Sequence, residues 1–237
     1  RGGNPGANVQ PGVAGVKIGF PGVGRLEFED ASRAWGIAID ARYDACVFGD
    51  LDNDGRLDVY VNGTVTGGTS YRDYLFRNAG KSFEDATPEN IAAIQADHGA
   101  AWADVDGDGD LDLALTGSRP DGMHWVMRNL LAAPATGRSL SVRVLDARGR
   151  ATRAGAEVRV YAAGTRKLVA AAGLVDSGSG YDAQNDLPVH IGLPILSRVD
   201  VEVTFPAAGK REVTRVPNVD PQQLLRRMIT VRIGATK

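Results

Sequence analysis

Two short stretches decide the fold of this chain: Asp50-Leu51-Asp52-Asn53-Asp54-Gly55-Arg56-Leu57-Asp58 (loop 1) and Asp104-Val105-Asp106-Gly107-Asp108-Gly109-Asp110-Leu111-Asp112 (loop 2). Both have aspartate at positions 1, 3, 5 and 9. Both have glycine at position 6, where the backbone must take a conformation that most residues resist. Asp, Asn and Gly are also common in ordinary solvated turns. Because the whole pattern returns 54 residues later, we interpret the stretches as two copies of one specialised loop.

The crowding of acidic side chains indicates a bound cation. Carboxylates 4 Å apart repel each other by ~1 kcal/mol in bulk water and by ~4 kcal/mol at an effective dielectric constant of 20. A divalent ion reverses the sign of that energy. Calcium accepts six to eight oxygens in loose geometry, whereas magnesium demands a stricter octahedron. We therefore predict two calcium ions, one in each loop.

The predicted ligands are the side chains at positions 1, 3, 5 and 9 and the main-chain carbonyl at position 7. They are Asp50, Asp52, Asp54, Arg56 and Asp58 in loop 1, and Asp104, Asp106, Asp108, Asp110 and Asp112 in loop 2. An EF-hand would need Glu at position 12, which is Val61 or Leu115 here, and a helix on each side. The flanking residues are short apolar runs with β character, so the pattern predicts strand, calcium loop, strand.

The repeat extends beyond the loops. Phe28-Glu29-Asp30-Ala31-Ser32 returns as Phe83-Glu84-Asp85-Ala86-Thr87, and Arg77-Asn78 returns as Arg128-Asn129. A unit of about 50 to 55 residues with several short strands is typical of a propeller blade of four strands. We therefore predict two propeller-type repeats over residues 25–134.

The segments on either side of the repeats have a different composition. Residues 1–24 are rich in Gly and Pro and predict an arm with at most one strand, near Val13–Phe20. Residues 132–137 are the expected junction to a second β domain over residues 138–235. Its alternating apolar and polar residues predict five strands. They are 140–145, 157–162, 189–192, 199–205 and 228–233.

Composition excludes some partners. The chain has 237 residues, of which 43% are hydrophobic, and a net charge of −2 with dispersed Lys and Arg. No basic stripe favours nucleic acid, and no apolar run approaches the ~18 to 20 residues that span a bilayer. We expect neither nucleic-acid binding nor membrane insertion.

The chain starts at Arg1, which leaves room for a removed signal peptide. Weak calcium sites work best where calcium is plentiful, which favours an extracellular or cell-surface location.

Signals of catalysis are weak, and we expect no enzyme activity. The sequence has no nucleophile elbow, zinc-type cluster or phosphate-binding loop. Asp97-His98 and His124-Trp125 could act as acid/base partners or could simply be polar residues at strand ends. We expect His190 to be structural, Cys46 to be a small buried residue, and Trp102 to pack between sheets.

The repeat resembles a known family. The order Phe-Glu-Asp-Ala-Ser/Thr, then residues 49–61, then Leu75-Phe76-Arg77-Asn78-Ala79-Gly80 resembles the FG-GAP or VCBS repeat of secreted and cell-surface propellers, integrin alpha chains among them. Residues 177–193 and 199–206 resemble the ASPIC and UnbV domain that follows such repeats in cartilage acidic protein and its bacterial relatives. The resemblance implies an all-β fold, with propeller-type blades followed by a β-sandwich-like C-terminal domain.

Two repeats are too few to close a propeller, which needs about four to eight blades. The exposed faces could belong to a fragment, could be covered by the C-terminal domain, or could be completed by other copies of the chain. We favour self-assembly into a ring or a filament. The expected function is that of a secreted calcium-binding structural or adhesive protein acting through protein contacts. The alternatives are a calcium-stabilised propeller enzyme of a biosynthetic pathway and a carbohydrate-binding module.

Overall fold

The computed structural model places most of the chain, in two compact units. The units are Arg1–Ile39 and Asp40–Lys237. No helix among the placed residues is long and apolar enough to cross a membrane. The described residues are 17–20, 24–39, 42–94, 97–117, 124–178, 184–185, 188–207 and 209–234.

The first unit contains a small hairpin followed by a turn. Strands β1 (Lys17–Phe20) and β2 (Gly24–Glu27) pair in antiparallel fashion. Strand β1 lies within the window predicted for a strand in the arm, and the rest of that window, like most of residues 1–24, lies outside the described residues. After β2, the Trp35 N–H donates to the Ala31 carbonyl at 2.9 Å, which closes a tight turn.

The repeat region forms two antiparallel sheets and one small hairpin. The first sheet has the order β3-β4-β7-β8, the second has the order β9-β10-β11, and β5 pairs with β6 between β4 and β7. A one-turn helix, α1 (Glu89–Ala92), joins the two sheets. The strands are β3 (Tyr43–Gly49), β4 (Asp58–Gly63), β5 (Val65–Thr66), β6 (Thr69–Ser70), β7 (Tyr74–Asn78), β8 (Phe83–Asp85), β9 (Asp97–Ala103), β10 (Asp112–Gly117) and β11 (His124–Met127).

An apolar core lies between these two sheets. The Tyr60 and Trp102 rings meet edge to face with centroids 6.2 Å apart, and Trp102 is 4% exposed, so its predicted place between sheets is confirmed. The prediction for Cys46 was wrong, because this residue is exposed. Side chains alternate along β3, so Val47 enters the core while Cys46 and Phe48 face the opposite side.

The C-terminal part consists of two sheets over a shared core. One sheet has the order β15-β12-β18, in which β12 and β18 are parallel, and the other has the order β14-β13-β16-β17. Two short 3₁₀ turns, Pro221–Gln223 and Leu225–Arg227, precede the last strand. The strands are β12 (Ser139–Asp146), β13 (Glu157–Ala162), β14 (Gly173–Leu174), β15 (Val189–Gly192), β16 (Val199–Ala207), β17 (Lys210–Val219) and β18 (Met228–Ile233).

The alternation of apolar and polar residues along the strands explains this packing. Val199, Val201 and Val203 of β16 are fully buried, and side chains from the facing sheet complete the same cluster. Burying an aliphatic side chain of this size contributes roughly 1.5–3 kcal/mol. The five predicted strands are confirmed within two residues at each end. The all-β fold class, with two sheets sharing one core in the C-terminal part, is likewise confirmed.

Candidate metal centre

Both acidic loops are the connections of β-hairpins. Loop 1 joins β3 to β4 where Gly49 is opposite Asp58, and loop 2 joins β9 to β10 where Ala103 is opposite Asp112. Positions 4 and 6 have a positive φ in both loops. The angles are 55° at Asn53 and 87° at Gly55 in loop 1, and 79° at Gly107 and 96° at Gly109 in loop 2. The turn that the position-6 glycine predicts is therefore present in both copies.

The carboxylates at positions 1, 3 and 5 converge in each loop. Each offers an oxygen within 4.8 Å of the others, and the two groups could hold a metal ion. Such sets contain only oxygen donors, which suit a hard cation. In loop 1 the buried Asp52 Oδ1 has no hydrogen-bond partner among the described residues, so one ligand atom is free. The groups are Asp50, Asp52 and Asp54, and Asp104, Asp106 and Asp108.

The position-1 aspartate sets the shape of the loop around itself. Asp50 Oδ1 accepts the Asp54 N–H at 3.0 Å, and Asp50 Oδ2 accepts the Gly55 N–H at 2.8 Å. In loop 2, Asp104 accepts the N–H groups of Gly107 and Gly109 at 2.7 and 3.1 Å. These bonds hold the backbone in its curved path, and each carboxylate oxygen keeps a further lone pair that a cation could use.

The position-9 aspartate lies outside the three-carboxylate group. Both oxygens of Asp58 accept backbone N–H groups, from Leu51 at 2.9 Å and from Asn78 at 2.7 Å. Asp112 repeats the arrangement with Val105 and Asn129, each at 2.9 Å. Each carboxylate oxygen has more than one lone pair, so a ligand role for these two residues stays a prediction.

The repeated Arg-Asn dipeptide closes each loop from the neighbouring strand. Arg77 Nε donates to Asp52 Oδ2 at 2.7 Å, and Arg128 Nε lies 2.9 Å from Asp106 Oδ2. The following asparagine supplies the backbone N–H that binds the position-9 carboxylate. The sequence showed that this dipeptide recurs, but its contact with the acidic loop becomes visible only in three dimensions.

Position 7 differs between the copies. The Arg56 guanidinium contacts the Asp54 carboxylate and donates from Nε to the Asn78 carbonyl at 2.8 Å. Asp110 is fully buried; its Oδ2 accepts the Leu131 N–H at 3.3 Å, while Oδ1 has no partner among the described residues. Loop 2 therefore contains an extra buried carboxylate that the prediction of a carbonyl ligand did not include.

Burial makes ionisation unfavourable in both loops. It raises the pKa of Asp50 to about 7 and that of Asp58 to about 6, and neighbouring carboxylates add to both shifts. The pKa of Asp110 rises to about 7 through burial and the charge of nearby Asp108. The pKa of Asp104 is also raised, with burial as the largest cause. Without a cation, the protein must stabilise charges that its interior disfavours.

Asn53, at position 4 of loop 1, links three parts of the molecule. Its Nδ2 donates to the carbonyls of Gly109 at 2.9 Å and Ala135 at 3.2 Å, and its Oδ1 lies 2.7 Å from His190 Nε2. Because Oδ1 can only accept, we assign the hydrogen to Nε2 of His190. Burial and nearby Arg227 lower the pKa of His190 to about 4, so the ring is neutral at pH 7.

The C-terminal part covers both loops. The Ala171 N–H donates to the Gly55 carbonyl at 2.9 Å, and a Cβ at Gly192 would collide with the Asp50 carboxylate. Arg227 donates from Nη2 to the Asp108 carbonyl. Of the three ways to cover the repeat faces, the structure therefore shows covering by the C-terminal part, at the loop end of the sheets.

The other candidate residues lie apart from this centre. His98 Nδ1 is 2.6 Å from Asp44 Oδ2, which lies 54 residues earlier at the equivalent position of the first repeat. The Asp97 side chain is outside the described residues. His124 is exposed on β11, and Trp125 is partly buried against the core of the repeats. The structure thus places the His98 ring beside an aspartate of the first repeat.

Two family models match the chain. Residues 64–115 match the FG-GAP-like repeat, and residues 147–228 match ASPIC and UnbV. The chain joins an FG-GAP-like repeat to an ASPIC and UnbV domain. The architecture implied by the resemblance is thus confirmed. The matched repeat includes loop 2, whereas loop 1 lies before it.

A search of curated proteins gave no match to this chain. FG-GAP repeats are typical of extracellular proteins. Together with an ASPIC and UnbV domain, they fit a protein-interaction or adhesive role in general.

Proposed function

We propose that this FG-GAP and UnbV chain is a secreted, calcium-stabilised structural or adhesive protein that acts through contacts with other proteins, copies of itself included, and without a catalytic step. One observation supports the proposal above the others. The loops that gather three carboxylates each are also the surfaces on which the C-terminal part rests.

The donor atoms fit calcium. Asp50, Asp52 and Asp54 would hold one ion with the carbonyl of Arg56, and loop 2 would use its equivalent residues. A bound calcium ion would supply positive charge and accept six to eight oxygens. The arginines beside the cluster neutralise only part of its negative charge, since Arg56 and Arg77 face three carboxylates and Asp52 Oδ1 has no partner among the described residues.

Calcium would also affect the docking of the C-terminal part. The carbonyls of Gly55 and Asp108 accept hydrogen bonds from that part, and both belong to the curved backbone of a loop. Asn53 lies in the same backbone and binds His190. A loop held open by repulsion would displace these groups, so the proposed ions stabilise the contact between the repeats and the C-terminal domain.

Calcium titration and thermal unfolding test the ion sites. We expect two ions per chain by calorimetry and a higher melting temperature in calcium than in chelator. At free calcium ~20 times the dissociation constant, each site contributes ~1.8 kcal/mol. Asp54→Ala and Asp108→Ala should each leave one ion, while Asp44→Ala, an aspartate outside both loops, should leave two. Identical melting in calcium and chelator, without binding heat, would refute the sites.

Light scattering and negative-stain imaging, with and without calcium, test self-association. We expect rings or filaments in calcium, and magnesium at the same concentration serves as the control for ionic strength. A compact monomer under every condition would end this part of the proposal while leaving the calcium sites intact. Detection of the chain in the culture medium of its source cells would test secretion.

A further inference from the structure

Among the described strands, the second repeat sheet has one outer strand fewer than the first. In the first sheet, β8 covers the outer edge of β7, with Phe76 opposite Asp85 and Arg77 opposite Glu84. In the second sheet, β11 is the last of the described strands, and its outer edge pairs with none of them. Val126 of β11 is 63% exposed. The two sheets therefore differ by one outer strand.

The chain carries a second copy of the sequence that fills this place in the first sheet. Phe28-Glu29-Asp30-Ala31-Ser32 repeats Phe83-Glu84-Asp85-Ala86-Thr87. The local turn is repeated too, because the Ser32 N–H donates to Asp30 Oδ1 at 3.0 Å and the Thr87 N–H donates to Asp85 Oδ1 at 3.0 Å. Residues 28–30 are exposed and belong to no strand of the described chain.

We propose that Phe28–Ser32 of one copy adds to β11 of a second copy as the missing fourth strand. This assignment rests on the self-association in the proposed function and specifies its surface. The acceptor edge continues into Arg128-Asn129, the repeat of Arg77-Asn78 to which β8 pairs. The strand that fits such an edge is therefore the one that repeats β8.

The register follows from the first sheet. Glu29 lies opposite Arg128, as Glu84 lies opposite Arg77. Ala31 lies opposite Val126, because the Ala86 N–H donates to the Leu75 carbonyl at 2.9 Å one pair beyond the ladder. The added strand forms hydrogen bonds with the backbone N–H and C=O groups along the outer edge of β11, which pairs with no described strand.

The donor strand and the acceptor edge are different surfaces, and each copy has one of each. The contact is therefore head to tail, and its repetition closes a ring or extends a filament. A self-complementary pair of identical patches would stop at a dimer. Reciprocal exchange of the strand between two copies would close a dimer, whereas exchange from each copy to the next would close a larger ring or extend a filament.

Engineered cysteines test the register. In a Cys46→Ser background, Ala31→Cys and Val126→Cys are made in separate chains, mixed in equal amounts and mildly oxidised. Directly opposite residues of an antiparallel pair lie at disulfide distance, so we expect a covalent dimer that forms only in the mixture. The matched control replaces Ala31→Cys with Ala34→Cys, an exposed alanine in the turn, and should give several-fold less dimer.

The possible results distinguish a failure of the strand addition from a failure of self-association. Preferential disulfide formation between positions 31 and 126 supports the strand addition. Equal yields at positions 31 and 34, or a disulfide that forms only when both cysteines are in one chain, overturn it. Light scattering on the Cys46→Ser protein reports self-association independently. Multimers without the register-specific disulfide would overturn only the strand assignment, whereas a monomer would overturn both.

Discussion

Two turns built on aspartate behave in opposite ways in this molecule. In loop 1, Asp50 accepts two backbone N–H groups and stands beside two more carboxylates, and its pKa is raised to about 7. At the end of β12, Asp146 accepts the N–H groups of Arg148 and Arg150 together with side-chain donors, and its pKa is lowered to about 2. In loop 1 several carboxylates share the available hydrogen-bond donors, whereas the single Asp146 carboxylate has backbone and side-chain donors of its own.

The difference shows what distinguishes a cation site from a structural turn. Asp146 and Asp50 are each 4% exposed, yet their pKa values move in opposite directions. Burial is the largest cause of the raised pKa of Asp50 and neighbouring carboxylates add to it, whereas the N–H of Arg150 is the largest cause of the lowered pKa of Asp146. We therefore expect the two turns to respond differently to calcium and to pH.

The largest effect is expected at Asn53, which loop 2 replaces with Gly107. Asn53→Ala removes three side-chain contacts and places alanine at a positive φ. Buried groups left unpaired cost about 1–3 kcal/mol each, so we expect the free energy of unfolding to fall by about 3–5 kcal/mol in denaturant titrations. Asn53→Gly keeps the backbone conformation and should retain most of this loss. Wild-type stability in the glycine variant would assign the effect to the backbone alone.

The second largest effect is expected for Asp54→Ala, which changes loop 1 but not the Asp146 turn. Asp54→Ala should lower the free energy of unfolding by ~1.8 kcal/mol in excess calcium, since one ion is lost. In chelator the loss should be smaller, because the change removes a repelling charge together with the contact to Arg56. The matched variant Asp146→Asn should destabilise equally with and without calcium. A calcium-independent loss in Asp54→Ala would place loop 1 in the same class as the Asp146 turn.

The sequence predicts the local parts of this structure well. The spacing of the aspartates and the position-6 glycine is a local pattern, and the converging carboxylates at positions 1, 3 and 5 follow from it. Alternation of apolar residues likewise predicts the buried strands, such as Val199–Ala207, because burial of one face selects that pattern.

Contacts between distant segments could not be predicted in this way. Asn53 meets His190 across 137 residues, and nothing in either local sequence specifies the partner. Strand β17 (Lys210–Val219) was missed because it lies at a sheet edge, and its valines recur at every third residue, 213, 216 and 219, rather than at every second one. Cys46 was misplaced because a small apolar residue fits either side of a strand.

A smaller effect on stability, which depends on pH, is expected at Asp146. The pKa of Asp146 is lowered from 3.8 to about 2 by the N–H and guanidinium of Arg150. The stabilisation is therefore fully present above pH 3.8 and lost as the pH falls towards 2. We expect Asp146→Asn to lower the melting temperature by a few degrees at pH 5 to 7, with the difference from wild type narrowing below pH 4. A constant difference down to pH 2 would contradict the ionised role of Asp146.

The smallest effect concerns the arginines that partly neutralise the loops. Arg77→Gln and Arg128→Gln remove the donors to Asp52 and Asp106, and the arginine side chains are 43% and 59% exposed. Exposed ion pairs contribute about 0.2–1 kcal/mol, so each loss should be below about 1 kcal/mol in chelator. In calcium the loss should shrink further, because the ion takes over the neutralisation of the same carboxylates. A larger loss in calcium than in chelator would mean that the arginines help to form the metal site rather than substitute for the ion.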